Sequence, residues 1–337
     1  MLYVTTRNNR DPYTAYRAMH EFRGPDGGFF LPFRHPKFSE AELDALAEKS
    51  FGQCVAEVLN RLFNTHLTGW DVDFCCGRAP VRLTSLRHKI LIAEAWHTHN
   101  GTFRHVTTTL SERLCGNEDK VSDWMEIAVR AAVLFGIFGE LKRNGMDQAD
   151  ISVVSGDFTL PISAWYARHW GLPIGRILCC CNENNSVWEL FCHGQLRTDA
   201  ISIPTMIPEA DVALPTGLER LVYDTGGIRE AQQYLECCRQ GKPYYPGDSI
   251  LTKLRKGMYV SVVSSHRLET TIPSVYRTHG YFMTPSTALA YAGLLDYRAK
   301  TGETGPVLVW AEDSPVLHAG TISRITGIPE NEVAEAF

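Results

Sequence analysis

Between Ala149 and Asn185 the chain reads ADISVVSGDFTLPISAWYARHWGLPIGRILCCCNENN, and this stretch restricts the possible folds more than any other. Ile151 to Val154 is a short β-branched run, and Ser155-Gly156-Asp157 has turn chemistry. Ile162 to Trp170 then carries apolar residues at helical spacing until Gly171-Leu172-Pro173 stops it, and Ile174 to Cys181 is a second apolar run. Strand, helix and strand in this order require a right-handed crossover within a parallel sheet, so the chain belongs to the α/β class. Ligands in such sheets sit where a strand's carboxyl end meets a helix N-terminus. Ser155, Gly156, Asp157, Phe158 and Thr159 are therefore a candidate anion site, with a plain helix cap as the competing reading of the same turn.

The 337 residues exceed a usual single domain, and 44% apolar content supplies a substantial core. The expected division is a helical N-terminal lobe over residues 1–80 and an α/β core over residues 81–337. The net charge of -5 comes from interspersed acids and bases, which argues against nucleic acid or an anionic membrane as partner and favours a small ligand. With no signal-like N-terminus and no membrane-length apolar run, a cytoplasmic protein is expected. The ten cysteines cluster as Cys75-Cys76, Cys179-Cys180-Cys181 and Cys237-Cys238, without C-x-x-C spacing. Neighbours on a strand face opposite ways, so Cys179 to Cys181 read as small core residues rather than metal ligands.

In the N-terminal lobe, Tyr13 to Phe22 reads as an amphipathic helix, Gly24 to Gly28 as a turn, and Phe29 to Phe33 as an apolar run. Ser39 with Glu42 is a capping box opening a helix through Lys49, and Phe51 to Phe63 is a further helix. Beyond the lobe, Ile90 to Trp96 is strand-like and Ser122 to Arg143 is helical. Ile228 to Arg239 and Ser249 to Arg255 read as surface helices. Gly257 to Ser264 and Val307 to Trp310 are strands, and Thr284-Pro285 caps a helix through Tyr297.

Several of these segments together resemble the threonine synthase family. Met1 to Arg7 followed by Gly24-Pro25-Asp26-Gly27-Gly28-Phe29-Phe30-Leu31-Pro32 is similar to the family's N-terminal domain. Ser155 to Thr159, Gly171-Leu172-Pro173 and Asn182-Glu183-Asn184-Asn185 follow its S-G-N-F-G-D, G-L-P and N-x-N-D order. Gly280-Tyr281-Phe282-Met283-Thr284-Pro285-Ser286-Thr287-Ala288 resembles its G-Y-x-x-x-P-H-x-A segment. The resemblance implies the tryptophan-synthase β-like architecture of fold type II pyridoxal-phosphate enzymes, phosphohomoserine as substrate, and a monomer or homodimer.

The resemblance fails at the residues that would carry the chemistry. The family's H-G-P-T-x-A-F-K-D corresponds to His97-Thr98-His99-Asn100-Gly101-Thr102-Phe103-Arg104-His105, so Arg104 stands at the lysine that captures the cofactor aldehyde. A guanidinium stays protonated and offers no free amine. The block that would form a small cofactor domain is replaced by a short passage through Asn117-Glu118-Asp119-Lys120. Asp157 and Thr159 stand where the phosphate loop has asparagine and glycine, and Glu312 where a small hydroxyl contacts the cofactor. The expectation is a pseudoenzyme with no cofactor, whose cleft is lined by His97, Arg104, Ser155 to Thr159, Asn182, Asn184, Asn185 and Glu312. There Arg104 either pairs with Asp157 or Glu312 or receives a small anionic metabolite. Two alternatives stay open: a pyridoxal-phosphate lyase rescued by Lys89, and a metal-dependent hydrolase using His88, His97, His99 and His105, with His97 and His99 on one face of a strand.

Overall fold

A computed structural model describes residues 1–116 and 122–337, so the passage read at Asn117 to Lys120 lies outside the described residues. A small antiparallel sheet comes first in the chain. β1 (Leu2–Thr5) pairs antiparallel with both β2 (Tyr13–Thr14) and β3 (Phe30–Pro32). Glycine is required at both ends of the preceding turn, because a Cβ on Gly24 or Gly28 would lie 2.4 or 2.9 Å from the Thr5 side chain. Tyr13 and Thr14 are claimed by β1, so the helix expected from Tyr13 to Phe22 is shortened to α1 (Ala15–His20). α2 (Glu40–Ala47) opens on the Ser39–Glu42 capping box, and α3 (Phe51–Phe63) and α4 (Gly69–Cys76) open on boxes of their own.

The large sheet is built from β4 (Arg82–Leu86), β5 (Ile90–Glu94), β6 (Ala149–Val154), β7 (Ile174–Cys181), β8 (Met258–Val262) and β9 (Val307–Ala311) in the order β4-β5-β9-β6-β7-β8. Only β4 is antiparallel, joined to β5 through a hairpin whose His88 and Lys89 adopt left-handed backbone angles. α5 (Arg104–Cys115) and α6 (Asp123–Arg143) connect β5 to β6, and α7 (Thr159–Trp170) makes the crossover to β7. α8 (Ser186–His193), α9 (Leu218–Gln240) and α10 (Asp248–Gly257) lead to β8, while α11 (Ser265–His279) and α12 (Pro285–Thr301) return to β9. α13 (Ala319–Thr326) and α14 (Glu330–Glu335) follow.

Because β9 enters between β5 and β6, the carboxyl ends of β5, β9, β6 and β7 stand side by side on one rim. One core fills the face under α3, α6 and α7 and runs without a break across the boundary expected at residue 80. A second core lies under α11 and α12. The alternation expected of the cysteines is seen: Cys179 and Cys181 enter the first core and Cys180 the second. Burial pushes the Cys180 thiol up to about 11, which keeps it an inert core residue. Among the described residues no helix is long and apolar enough to cross a membrane.

Candidate functional site

At the end of β6, the Ser155–Thr159 loop folds over itself. Ser155 N donates to Cys180 O at 2.8 Å, Phe158 N donates back to Ser155 O at 2.8 Å, and Phe158 takes a left-handed conformation with φ of 75°. The Asp157 carboxylate turns onto the start of α7, accepting from Thr159 N at 2.9 Å and Thr159 Oγ1 at 2.7 Å. Ile162 N is already bonded to Phe158 O, and Pro161 has no N–H. In the first turn of α7 this leaves Leu160 N as the uncommitted donor among the described residues. Behind the loop, the chain from Pro208 to Gly217 closes in: Gly217 N donates to Asp157 O at 3.0 Å, and a Cβ on Gly156 would lie 3.0 Å from Glu209 O. The helix end that would attract an external anion is therefore served by the chain's own carboxylate.

The next strand end carries the strongest electrostatic feature of the rim. Arg130 is the single charge between Ile127 and Gly139 on α6, and its guanidinium is buried. Its Nη2 lies 2.6 Å from Glu312 Oε1, its Nη1 lies 3.8 Å from Glu126 Oε2, and its Cζ stands 5.2 Å from the centre of the Phe103 ring. Burial alone pulls the Arg130 pKa down, but Glu312, Glu126 and Asp157 together hold it above its ordinary value. Glu126 moves the other way, pushed up by burial despite Arg130 beside it. Three carboxylates thus share one guanidinium, and the local field is negative.

Arg104 opens α5 and is exposed, with no side-chain ion pair among the described residues. The expected pairing of Arg104 with Asp157 or Glu312 does not occur, because Asp157 caps its own helix and Glu312 is taken by Arg130. Phe103 N donates to Glu312 O at 2.9 Å and Ser314 N to Gly101 O at 2.8 Å, which sets the loop before Arg104 against the end of β9. In that contact Thr102 and His318 hold the Asp313 carboxyl below its ordinary range against the effect of burial.

His97-Thr98-His99 is a turn, not strand. β5 ends at Glu94, and Thr98 N folds back to Trp96 O at 2.7 Å, so the two imidazoles do not share a strand face. No group of three or more metal-ligating side chains is present among the described residues. His97 instead bonds through Nε2 to the buried Glu94 at 2.7 Å and stacks on Trp96 at 4.1 Å, while Thr84 Oγ1 donates to the other Glu94 oxygen at 2.8 Å. Two shallow recesses of about 490 and 320 Å³ meet at His97, Arg82 and Phe337. Trp96 borders the larger one, and its indole N–H is buried without an acceptor among the described residues.

Asn182 and Asn184 are spent inside the protein. Asn182 Nδ2 donates to Asp211 Oδ1 at 2.7 Å and Thr205 Oγ1 at 3.0 Å. Asn184 Nδ2 reaches Ile203 O at 2.9 Å, and Ile203 N returns a bond to Asn184 Oδ1 at 2.7 Å. This network pins the loop before α9 to the end of β7. Asn185, at the start of α8, makes no side-chain cap. The rim thus gathers the strand ends expected from the sequence, but the residues that dominate its chemistry, Arg130, Glu126 and Glu94, were not among those picked out. A lone arginine in the apolar middle of α6 was the available signal.

Pyridoxal phosphate needs an amine, an open phosphate cradle and a partner for its ring nitrogen, and the described residues do not fit it. The resemblance puts Arg104 at the place of the amine and Glu312 at the third position; in the structure Asp157 caps the helix start at the loop, and Glu312 is paired with Arg130. Lys89 lies at the amino end of β5, the length of the strand away from the rim, roughly 15 Å at about 3.3 Å per residue.

Comparison with known proteins supplies the family context. The family model described as "Threonine synthase N terminus" matches residues 2–79. Threonine synthase of Pseudomonas aeruginosa is 26% identical over 140 residues, which is 41% of this chain and 30% of that protein. The alignment thus spans less than a third of that relative's length. The crystal structure of the PLP-bound threonine synthase from Brucella melitensis superposes with a TM-score of 0.86 at 16% identity, covering 97% of this chain and 92% of that one. Yeast threonine synthase superposes with a TM-score of 0.85 at 15% identity, covering 97% and 90%. At these identities the superpositions establish the fold.

Removing Glu312 leaves a buried guanidinium without its nearest anion. Glu312 is 32% exposed, so Glu312→Ala is expected to lower unfolding free energy by about 2–4 kcal/mol in urea titrations, below the top of the range for fully buried pairs. Arg130→Met added to that variant should recover most of the loss, and no recovery would mean the pair is not the cause. For Glu126 the sign follows from its raised pKa. Its contribution to stability is present below the ordinary value near 4.5 and is lost as pH rises through the folded value. Glu126→Gln should therefore be more stable than the parent at pH 7, with the difference closing toward acid; equal stabilities across that range would refute the buried-carboxylate picture.

Proposed function

We propose that this chain, a member of the threonine synthase family in its N-terminal segment and its fold, has given up pyridoxal-phosphate chemistry and binds a small anionic metabolite instead. The observation that carries this reading is the Arg130–Glu312 pair, which fills with a hydrogen-bonded ion pair the place where the resemblance implies a small hydroxyl beside the cofactor. Arg104 at the first residue of α5 and the self-capped α7 support it independently. The passage from α5 to α6 runs only from Gly116 to Ser122, too short a segment for the small cofactor domain that the resemblance implies.

The recess at His97 suits the ligand better than the Ser155–Thr159 loop does. Arg82 is exposed there without an ion pair among the described residues, His97 is oriented by Glu94, and His99 lines the same wall. Glu94, on the wall of the smaller recess, is buried and already bonded on both oxygens. An anionic group fits beside Arg82 and His97, with a flat apolar part against Trp96 and Phe337.

The loss of cofactor capture is tested by incubating the full chain with micromolar pyridoxal phosphate, reducing with borohydride and mapping lysine adducts by mass spectrometry. No stoichiometric adduct and no imine absorbance are expected, and phosphohomoserine should release no phosphate. Arg104→Lys should not restore attachment by itself, since Asp157 and Glu312 remain in place. A single lysine labelled to stoichiometry in the parent protein would instead favour an active lyase.

A further inference from the structure

On the edge of the sheet opposite the rim, before the amino ends of β6 and β7, α2 bridges across α6 and leaves a cavity of about 420 Å³. Its walls are Phe38, Leu43, Leu46, Phe135, Phe138 and Leu172, a lining that holds hydrocarbon. Gly139 of α6 forms part of the floor, and a Cβ built there would meet only ordinary contacts, the nearest being Ala47 Cα at 3.5 Å.

The hollow is held open by polar contacts around it. Phe38 N donates to Trp170 O at 2.7 Å, the Phe38 ring rests 4.7 Å from that of Phe135, and the Arg61 guanidinium covers its other side at 4.0 Å. Arg61 also bonds Glu42 at 2.6 Å, and Arg143 donates to the carbonyls of Ala47 and Lys49, which fixes both ends of α2 over the opening.

Charge at the mouth selects the ligand. Glu40 and Asp147 stand there with Lys142, and the Lys142 ammonium is ion-paired to Asp44. The neighbouring Arg143 faces the end of α2. Glu40 and Asp147 act on the same ammonium, so three carboxylates share Lys142 and the mouth of the apolar hollow keeps an excess of negative charge. We infer that this cavity binds a small aromatic amine, its ring among Phe38, Phe135 and Phe138 and its ammonium at Glu40 and Asp147. This site is separate from the rim and does not depend on how the rim is used.

The test uses two probes with one ring and opposite charge, tryptamine and indole-3-propionate, titrated into the full chain and followed by ligand-observed NMR. Tryptamine should bind saturably and indole-3-propionate several-fold more weakly. The surface variant Glu40→Gln/Asp147→Asn should keep its melting temperature and weaken tryptamine by about threefold or more, as two partly screened charges allow. Gly139→Leu should abolish binding by filling the floor; if that variant does not fold, the charge variant decides. Absence of tryptamine binding, equal binding of the two probes, or binding unchanged in the charge variant would overturn the assignment.

Discussion

A guanidinium buried in the apolar middle of α6 sets the terms for the whole rim. Arg130 costs several kcal/mol to desolvate unless it is paired, and the pairing is supplied by Glu312 at the end of β9, with the Phe103 ring beside it. Satisfying Arg130 therefore fixes where β9 must end and how the loop before α5 must lie, since Phe103 N bonds the backbone of Glu312. The strand order, with β9 between β5 and β6, brings those partners together. Glu126 and Asp157 add negative charge around the same centre, which disfavours an incoming phosphate.

The second consequence concerns the start of α7. A helix N-terminus facing a sheet rim ordinarily offers several free N–H groups to an anion, but here one is taken by Asp157, one is absent at Pro161, and another bonds back to the loop. The protein keeps the geometry of an anion site while occupying it with its own carboxylate. The superpositions on threonine synthases show that these side chains sit on a backbone of the same fold.

Much of the architecture was legible because it is local. The β7 run from Ile174 to Cys181, the Ser39–Glu42 capping box and the opposed faces of Cys179 and Cys180 each follow from spacing and capping chemistry over a few residues. The site was less legible because its bonds are distant. Arg130 and Glu312 are 182 positions apart, and Asn182 finds Asp211 29 positions on, through a loop with no periodicity to read. The stretch His97 to His99 looks like strand because Ile90 to Trp96 is apolar but for Glu94. It becomes a turn because Glu94 is needed at the strand end to hold His97, and because Thr102 bridges to Asp313. Tertiary partners decided these points, and no local pattern encodes them.

The most direct check is a high-resolution crystal structure of the protein grown in saturating pyridoxal phosphate. The expected result is the Arg130–Glu312 contact intact, the Asp157 carboxylate on Thr159 N, and no phosphate density between Gly156 and Leu160. A pyridine ring on the rim, with Glu312 or Asp157 swung aside to admit it, would show that the site still takes the cofactor.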